Sequence, residues 1–310
     1  MPDLAAGGRR WSVPAGANLL DSLNAAGVVV PYSCRAGSCH ACLVRCVAGE
    51  PQDARPEALA AERRADGWRL ACQCRVVGDL EVEVFDPQRD GLPARVAELD
   101  WPSPTVLRLT PERPLRYRAG QHLVLWSAEG VARPYSLASL PGEDPWLEFH
   151  LDCRAPGAFC DAARRLGPGD ALRLGELRAG ALHYDPDWQA RPLWLLAAGT
   201  GLAPLWGVLR EALRQHHQGA IRVIHQAHEA AGHYLGEPLR ALAAAHPQLQ
   251  VELVEASEQA AFLAELRLVS RQTVALLCGS PASVEAFARR LFLVGVPRNQ
   301  VLADIFLPHA

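Results

Sequence analysis

Three rhythms of apolar and polar positions run along the chain in succession. Over the first 85 residues, short strand-like runs (RRWSVPA, Arg9–Ala15; CLVRCV, Cys42–Val47; RLACQC, Arg69–Cys74; and DLEVEV, Asp79–Val84) flank one amphipathic stretch, NLLDSLNAAG, Asn18–Gly27. The spacing of apolar residues predicts a helix there and strands around it. From Ala94 to about Cys153 the pattern is β-rich throughout: ARVAELDW, TVLRLTP, GQHLVLWS and WLEFHLDC, with turn residues between them. Closely spaced strands of this kind predict a small antiparallel barrel. From Pro192 onward, apolar runs (PLWLLAAG, AIRVIHQA, LQVELVEA, TVALLCG) alternate with helical stretches (APLWGVLREALRQHH, EPLRALAAAH, SVEAFARRLFLVG). Strand–helix alternation predicts a parallel sheet covered on both faces, with ligands at the carboxyl ends of its strands.

The breaks between these rhythms set the domain reading. DPQRDGLPA, Asp86–Ala94, carries the proline, glycine and charge of a linker. At 310 residues the chain is long for one core. We read three domains, at 1–88, 93–190 and 191–310. Pro192–Leu209 is eighteen residues without a charge and imitates a membrane span, but its internal GTG and Pro204 break it into strand, loop and helix start. The N-terminus has no apolar signal core. A net charge of −3, with every basic side chain an arginine, gives no field suited to nucleic acid or an anionic membrane. The chain therefore reads as cytoplasmic, without membrane insertion. There, its nine cysteines hold metal or do chemistry more often than they form disulfides.

Four of those cysteines carry the strongest signal. Cys34, Cys39 and Cys42 form C-x4-C-x2-C, and Cys72 follows thirty positions later. Zinc sites commonly pair two short C-x2-C units, whereas three clustered ligands with a remote fourth is the plant-type [2Fe–2S] spacing. The small residues of the intervening RAGS let backbone N–H groups approach a negative cluster. Cys46 and Cys74 fall outside the pattern and read as structural bystanders, Cys74 on the strand face of Cys72. With these ligands in place, residues 10–88 resemble the ferredoxin domain of multicomponent oxygenase reductases. That resemblance implies a β-grasp fold with the cluster near its surface.

RPYSLAS, Arg133–Ser139, is weak alone. In its position it resembles the R-x-Y-S flavin motif of the ferredoxin–NADP reductase superfamily. The resemblance implies that Arg133 binds a flavin phosphate and that Pro134 and Tyr135 pack near the flavin. Ser136 would reach the flavin N5, with Ser139 in the same motif. RAPGAFCDAARRL resembles the family's turn into a helix whose N–H groups take the FAD pyrophosphate, implicating Gly157 and Cys160. Here Cys160 replaces the usual hydroxyl residue, and GELRAG, Gly175–Gly180, replaces a GPxG-like stretch. GTGLAP and CGSP resemble the superfamily's pyridine-nucleotide domain. By that likeness Gly199, Thr200 and Gly201 lie against the nucleotide pyrophosphate. Cys278, with Gly279 and Pro281, would stand beside the nicotinamide, and Asp304 and Phe306 of the tail would sit near the flavin face. No arginine follows the second strand, in HQAHEAAGHY, so NADH is expected rather than NADPH, and His225, His228 and His233 are expected as solvated loop side chains.

The reading is thus a multidomain α+β and α/β protein: a β-grasp ferredoxin domain, an antiparallel β-barrel flavin domain and a parallel-sheet nucleotide domain. Its expected activity is electron transfer from NADH through FAD and the [2Fe–2S] cluster to an oxygenase component or its ferredoxin. Two alternatives stand beside it: a reductase for a sugar-deoxygenation enzyme of the CDP-6-deoxyglucoseen type, and a redox-sensing iron–sulfur protein without turnover.

Overall fold

The computed structural model describes residues 1–101, 104–268 and 270–307. They divide into two compact units. One comprises Met1–Ala94 with Leu123–Tyr135 and Ala171–Arg178; the other comprises Arg95–His122, Ser136–Asp170 and the chain from Ala179 on.

The first unit is built on a five-stranded mixed sheet in the order Arg9–Ser12, Asp3–Ala6, Leu80–Val84, Leu43–Ala48, Trp68–Leu70. Asp3–Ala6 and Leu80–Val84 run parallel and the other pairs antiparallel. LEVEV alternates as its period predicts, Leu80 and Val82 buried and Glu81 and Glu83 exposed. The helix Leu19–Ala25 buries Leu19, Leu20 and Leu23 on one stripe and is capped by Asn18, whose Oδ1 accepts from the Asp21 N–H. This is the expected β-grasp. Its core also takes in Val124, Trp126 and Ala132 from the middle of the chain, with the rings of Phe85 and Trp126 stacked at 5.5 Å. The stretch expected as a linker is ordered: Asp86 caps a short helix, Pro87–Asp90, and a strand starts at Leu92. The middle block is antiparallel as expected, Leu125 pairing Leu174 in the first unit and Leu107 pairing Phe149 in the second.

The second unit holds a five-stranded parallel sheet ordered Leu249–Glu255, Ile221–Ala227, Leu193–Ala198, Val274–Gly279, Val301–Ile305. Its central strands are buried nearly end to end, as a sheet covered on both faces requires. The order turns back between Leu193–Ala198 and Val274–Gly279, so GTG and CGSP both leave the sheet at its switch point, where such folds open a crevice. Two further details complete the unit. The first three residues of the tail ADIF belong to the fifth strand, Val301–Ile305, and Phe306 follows its end. The run around SEQAAFLAELRL is helical only over Gln259–Glu265. Among the described residues no helix is long and apolar enough to cross a membrane.

Candidate functional site

Cys34, Cys39, Cys42 and Cys72 come together although the last lies on a separate segment. The loop turns through three residues with positive φ, Arg35 (50°), Gly37 (77°) and His40 (56°). That turning aims the N–H groups of Ala36, Ser38 and Cys39 at the Cys34 sulfur, each at 3.3 Å. Gln73 ties the remote ligand in, its Nε2 donating to the Cys72 sulfur (3.3 Å) and to the Arg35 carbonyl (2.8 Å). A Cβ on Gly37 would stand 3.1 Å from the Gln73 side chain, so the glycine provides room as well as its φ.

The thiols meet as two pairs. The Cys39 thiol donates to Cys34, and this, aided by the backbone N–H groups, lowers Cys34 to about 4. Cys42 donates to Cys72 and lowers it to about 7. The two donors hold their protons and are raised. Cys34 also acts electrostatically on Cys72, and Cys39 on Cys42, so all four are coupled. Two thiols for each of two irons is what a [2Fe–2S] cluster asks of its protein, and N–H donors around the sulfurs suit its negative charge. Among the described residues no group of three or more His, Cys, Asp or Glu side chains is placed to hold a single metal ion. The donor set fits the cluster. Cys46, raised to about 11 by burial, and Cys74, fully buried and also raised, are inert thiols as expected. Cys72 lies in a 3-10 turn, Ala71–Gln73, and Cys74 begins the next strand, so the shared strand face does not exist.

Arg133, Pro134 and Tyr135 are half-buried on the strand Ala132–Ser136, and the Arg133 guanidinium reaches back to the Ala132 carbonyl at 2.7 Å. Ser136 ends that strand and is buried. Ser139 departs from its expected place. It has no exposed surface, its hydroxyl accepts from Tyr117 (2.7 Å) and from the Glu148 N–H (3.1 Å), and it braces the strand instead of facing a ligand. Gly157 caps the short helix Ala158–Ala163, and the Cys160 thiol turns back to the Asp152 carbonyl at 3.4 Å.

In the second unit Gly199, Thr200 and Gly201 form a single 3-10 turn leading into the helix Leu202–Arg214. A Cβ on Gly201 would lie 2.3 Å from the Cys278 carbonyl, and one on Gly279 (φ 146°) would lie 2.7 Å from the Ala198 side chain. The two loops therefore touch through backbone. Ser280 caps the next helix by accepting from the Ser283 N–H, with Pro281 at its first position. Cys278 is fully enclosed, and burial raises its thiol well above the usual range. Asp304 is its register partner on the edge strand, and the Phe306 N–H donates to the Gly279 carbonyl at 2.8 Å.

Residues 5–77 match the model of the 2Fe-2S iron-sulfur cluster binding domain and residues 195–289 that of the oxidoreductase NAD-binding domain. The chain is 30% identical over 319 residues to the ferredoxin–NAD(P)+ reductase component of the naphthalene 1,2-dioxygenase system of Pseudomonas putida, covering 95% of this chain and 94% of that one. It is 33% identical to the reductase subunit of an Amycolatopsis aromatic O-demethylase, covering 91% and 92%. The chain belongs to the family of oxygenase reductase components. In structure the reductase is similar to the Amycolatopsis cytochrome P450 reductase GcoB, with a TM-score of 0.66, 29% identity and 99% of each chain covered. It is more distantly similar, at 24% identity, to the reductase of a Yersinia pseudotuberculosis CDP-6-deoxy-hexulose dehydrase, covering 94% and 93%.

Histidines that the sequence left in solvent prove central to the reductase. His225 lies in the strand Ile221–Ala227 with no exposed surface. Burial lowers it to about 4, so the ring is neutral. Its Nε2–H donates to the Gly199 carbonyl at 3.0 Å, and its Nδ1 faces His233 Nδ1 at 3.4 Å. Tyr234 stands edge-on to His225 and joins His150 through its hydroxyl at 2.8 Å. His150 meets Glu148 at 3.1 Å, which Arg108 pairs at 2.9 Å. Only His228 is a surface histidine as expected. The one available signal for His225 was its place inside the apolar run AIRVIHQA, because a strand covered on both faces is buried almost continuously.

Proposed function

We propose that the reductase passes electrons from NADH through FAD and a [2Fe–2S] cluster to an oxygenase component or its ferredoxin, in the cytoplasm, with functional segments at 1–88, 93–190 and 191–310. The observation that carries this is a cysteine loop whose Ala36, Ser38 and Cys39 N–H groups point at the Cys34 sulfur, with Cys72 tied to that loop from a separate segment through Gln73. When bound, the cofactors supply the redox chemistry: a nicotinamide yields two electrons together, a flavin divides them, and an iron–sulfur cluster takes them singly.

The chain's own groups bind, orient and exclude water. Cys34, Cys39, Cys42 and Cys72 are the proposed metal ligands. Arg133 offers a fork of donors to a flavin phosphate, and the Ser136 hydroxyl is available to a flavin ring nitrogen. Gly199–Gly201 would present backbone to the nucleotide pyrophosphate, with His225 fixing the first carbonyl of that turn. Cys278, Asp304 and Phe306 would stand at the nicotinamide end. Cys278 holds its proton there and serves by shape, without acting as a nucleophile.

NADH is favoured by a cavity of about 340 Å³ at the carboxyl ends of the strands Ile221–Ala227 and Leu249–Glu255. It is lined by His233, Tyr234, Glu237, Glu255, Glu258 and one guanidinium, Arg240. Three carboxylates accept ribose hydroxyls readily and oppose a 2′-phosphate. The sugar-deoxygenation alternative is less favoured, because the relatives of that kind stand further away in identity.

The test is spectroscopic and kinetic. Anaerobically purified protein should contain iron and sulfide and show flavin and cluster absorption together, and its kcat/KM should be higher with NADH than with NADPH. Replacing Cys39 by serine should abolish cytochrome c reduction while sparing ferricyanide reduction at the flavin. Equal loss of both activities would refute the order of transfer.

A further inference from the structure

The cluster loop is fastened at a point outside its four thiols. His40 sits between Cys39 and Cys42 with φ +56°, a conformation that side-chain-bearing residues seldom adopt and that persists where surrounding contacts impose it. Its side chain has no exposed surface, and its Nδ1 lies 2.9 Å from Oε2 of Glu176, 136 positions away in sequence. The other carboxylate oxygen, Oε1, accepts from Arg63 Nε at 3.0 Å. Arg63 lies over the Trp68 ring at 4.7 Å, and Trp68 meets Phe85, so the anchor is itself held. Burial opposes the charge on Glu176, yet His40 and Arg63 together keep its carboxyl below the usual range. His40 Nε2 is buried with no hydrogen-bond partner among the described residues. Two residues on, Arg178 donates to the Ala58 carbonyl at 2.8 Å. The segment Gly175–Arg178 thus binds the ferredoxin part of its unit through two residues, Glu176 and Arg178.

We propose that Glu176 is a positioning residue for the [2Fe–2S] ligand loop. By accepting the His40 Nδ1–H it pins the Cys39–Cys42 turn to the end of the strand Ala171–Leu174. This gives GELRAG a purpose other than holding the adenosine end of a flavin. Glu176 and His40 ligate nothing; they act through the backbone that carries Cys39 and Cys42. The inference rests on the cluster reading of the preceding subsection.

The experiment compares holoprotein with Glu176→Gln, His40→Gly and the double variant. Glycine accepts a positive φ freely, so His40→Gly removes the clamp without straining the backbone. Expected for each single variant are iron release to EDTA about tenfold faster, the lower end of the effect of losing an outer contact at a metal site, shifted g-values in the dithionite-reduced EPR spectrum, and a lowered ratio of cytochrome c to ferricyanide reduction. The double variant should be no worse than Glu176→Gln alone, because that change already disturbs the His40 contact along with the Arg63 one. Release rates and spectra equal to wild type, or additive losses in the double variant, would overturn the proposal. Wild type lacking iron and sulfide would instead refute the cluster reading beneath it.

Discussion

At the scale of single residues, this reductase works by denying space. Gly201 and Gly279 let two strand ends meet backbone to backbone, and a methyl at Gly201 would enter the Cys278 carbonyl. Gly201→Ala should destabilise the protein by about 1–3 kcal/mol, as forced overpacking does, and raise the KM for NADH more than it lowers kcat. Thermal melting and steady-state NADH oxidation would check both. His225 makes a second case. Its folded pKa, about 4, lies below the ordinary 6.5. Between those values the unfolded chain binds the extra proton, so its contribution is complete above pH 6.5 and is lost as pH falls toward 4, on the order of 3 kcal/mol in all. Urea midpoints at pH 7 and pH 5 should therefore differ more in wild type than in His225→Gln. The cysteine ligands were legible because their spacing is local. His40, Glu176 and His225 were not, because each takes its meaning from a partner 26 to 136 positions distant, which no periodicity encodes.

At the scale of elements, one side chain serves both a helix and a ligand. Asn18 caps the helix Leu19–Ala25 with its Oδ1 and, through Nδ2, donates to the Cys72 carbonyl at 3.0 Å. Asn18→Asp keeps the acceptor and loses the donor. Circular dichroism should show the helix intact while the cluster bleaches faster in air than in wild type. An equal bleaching rate would count against a role for Nδ2. The strands and helices themselves followed from apolar periodicity, since LEVEV and the buried runs of the nucleotide sheet match the two burial regimes that strands allow. The fifth parallel strand, Val301–Ile305, was missed because it is short and lies at an edge, where none of its residues is fully buried.

At the scale of the whole molecule, composition and rhythm disclosed the order of the three blocks. The partition of the middle strands was hidden, since strand pairing between remote segments leaves no trace in local pattern. Phe85 and Trp126 bury their rings against each other, and Val124 and Ala132 complete the same core. The N-terminal module is consequently not a bead on a string. Cut at residue 88 and produced by itself, it should expose an aromatic wound and precipitate or bind hydrophobic dyes, which light scattering and dye fluorescence would register. A chimera that borrows this module for another reductase should need Leu123–Tyr135 and Ala171–Arg178 grafted along with it, so the heritable unit of exchange here is a mosaic of three chain segments.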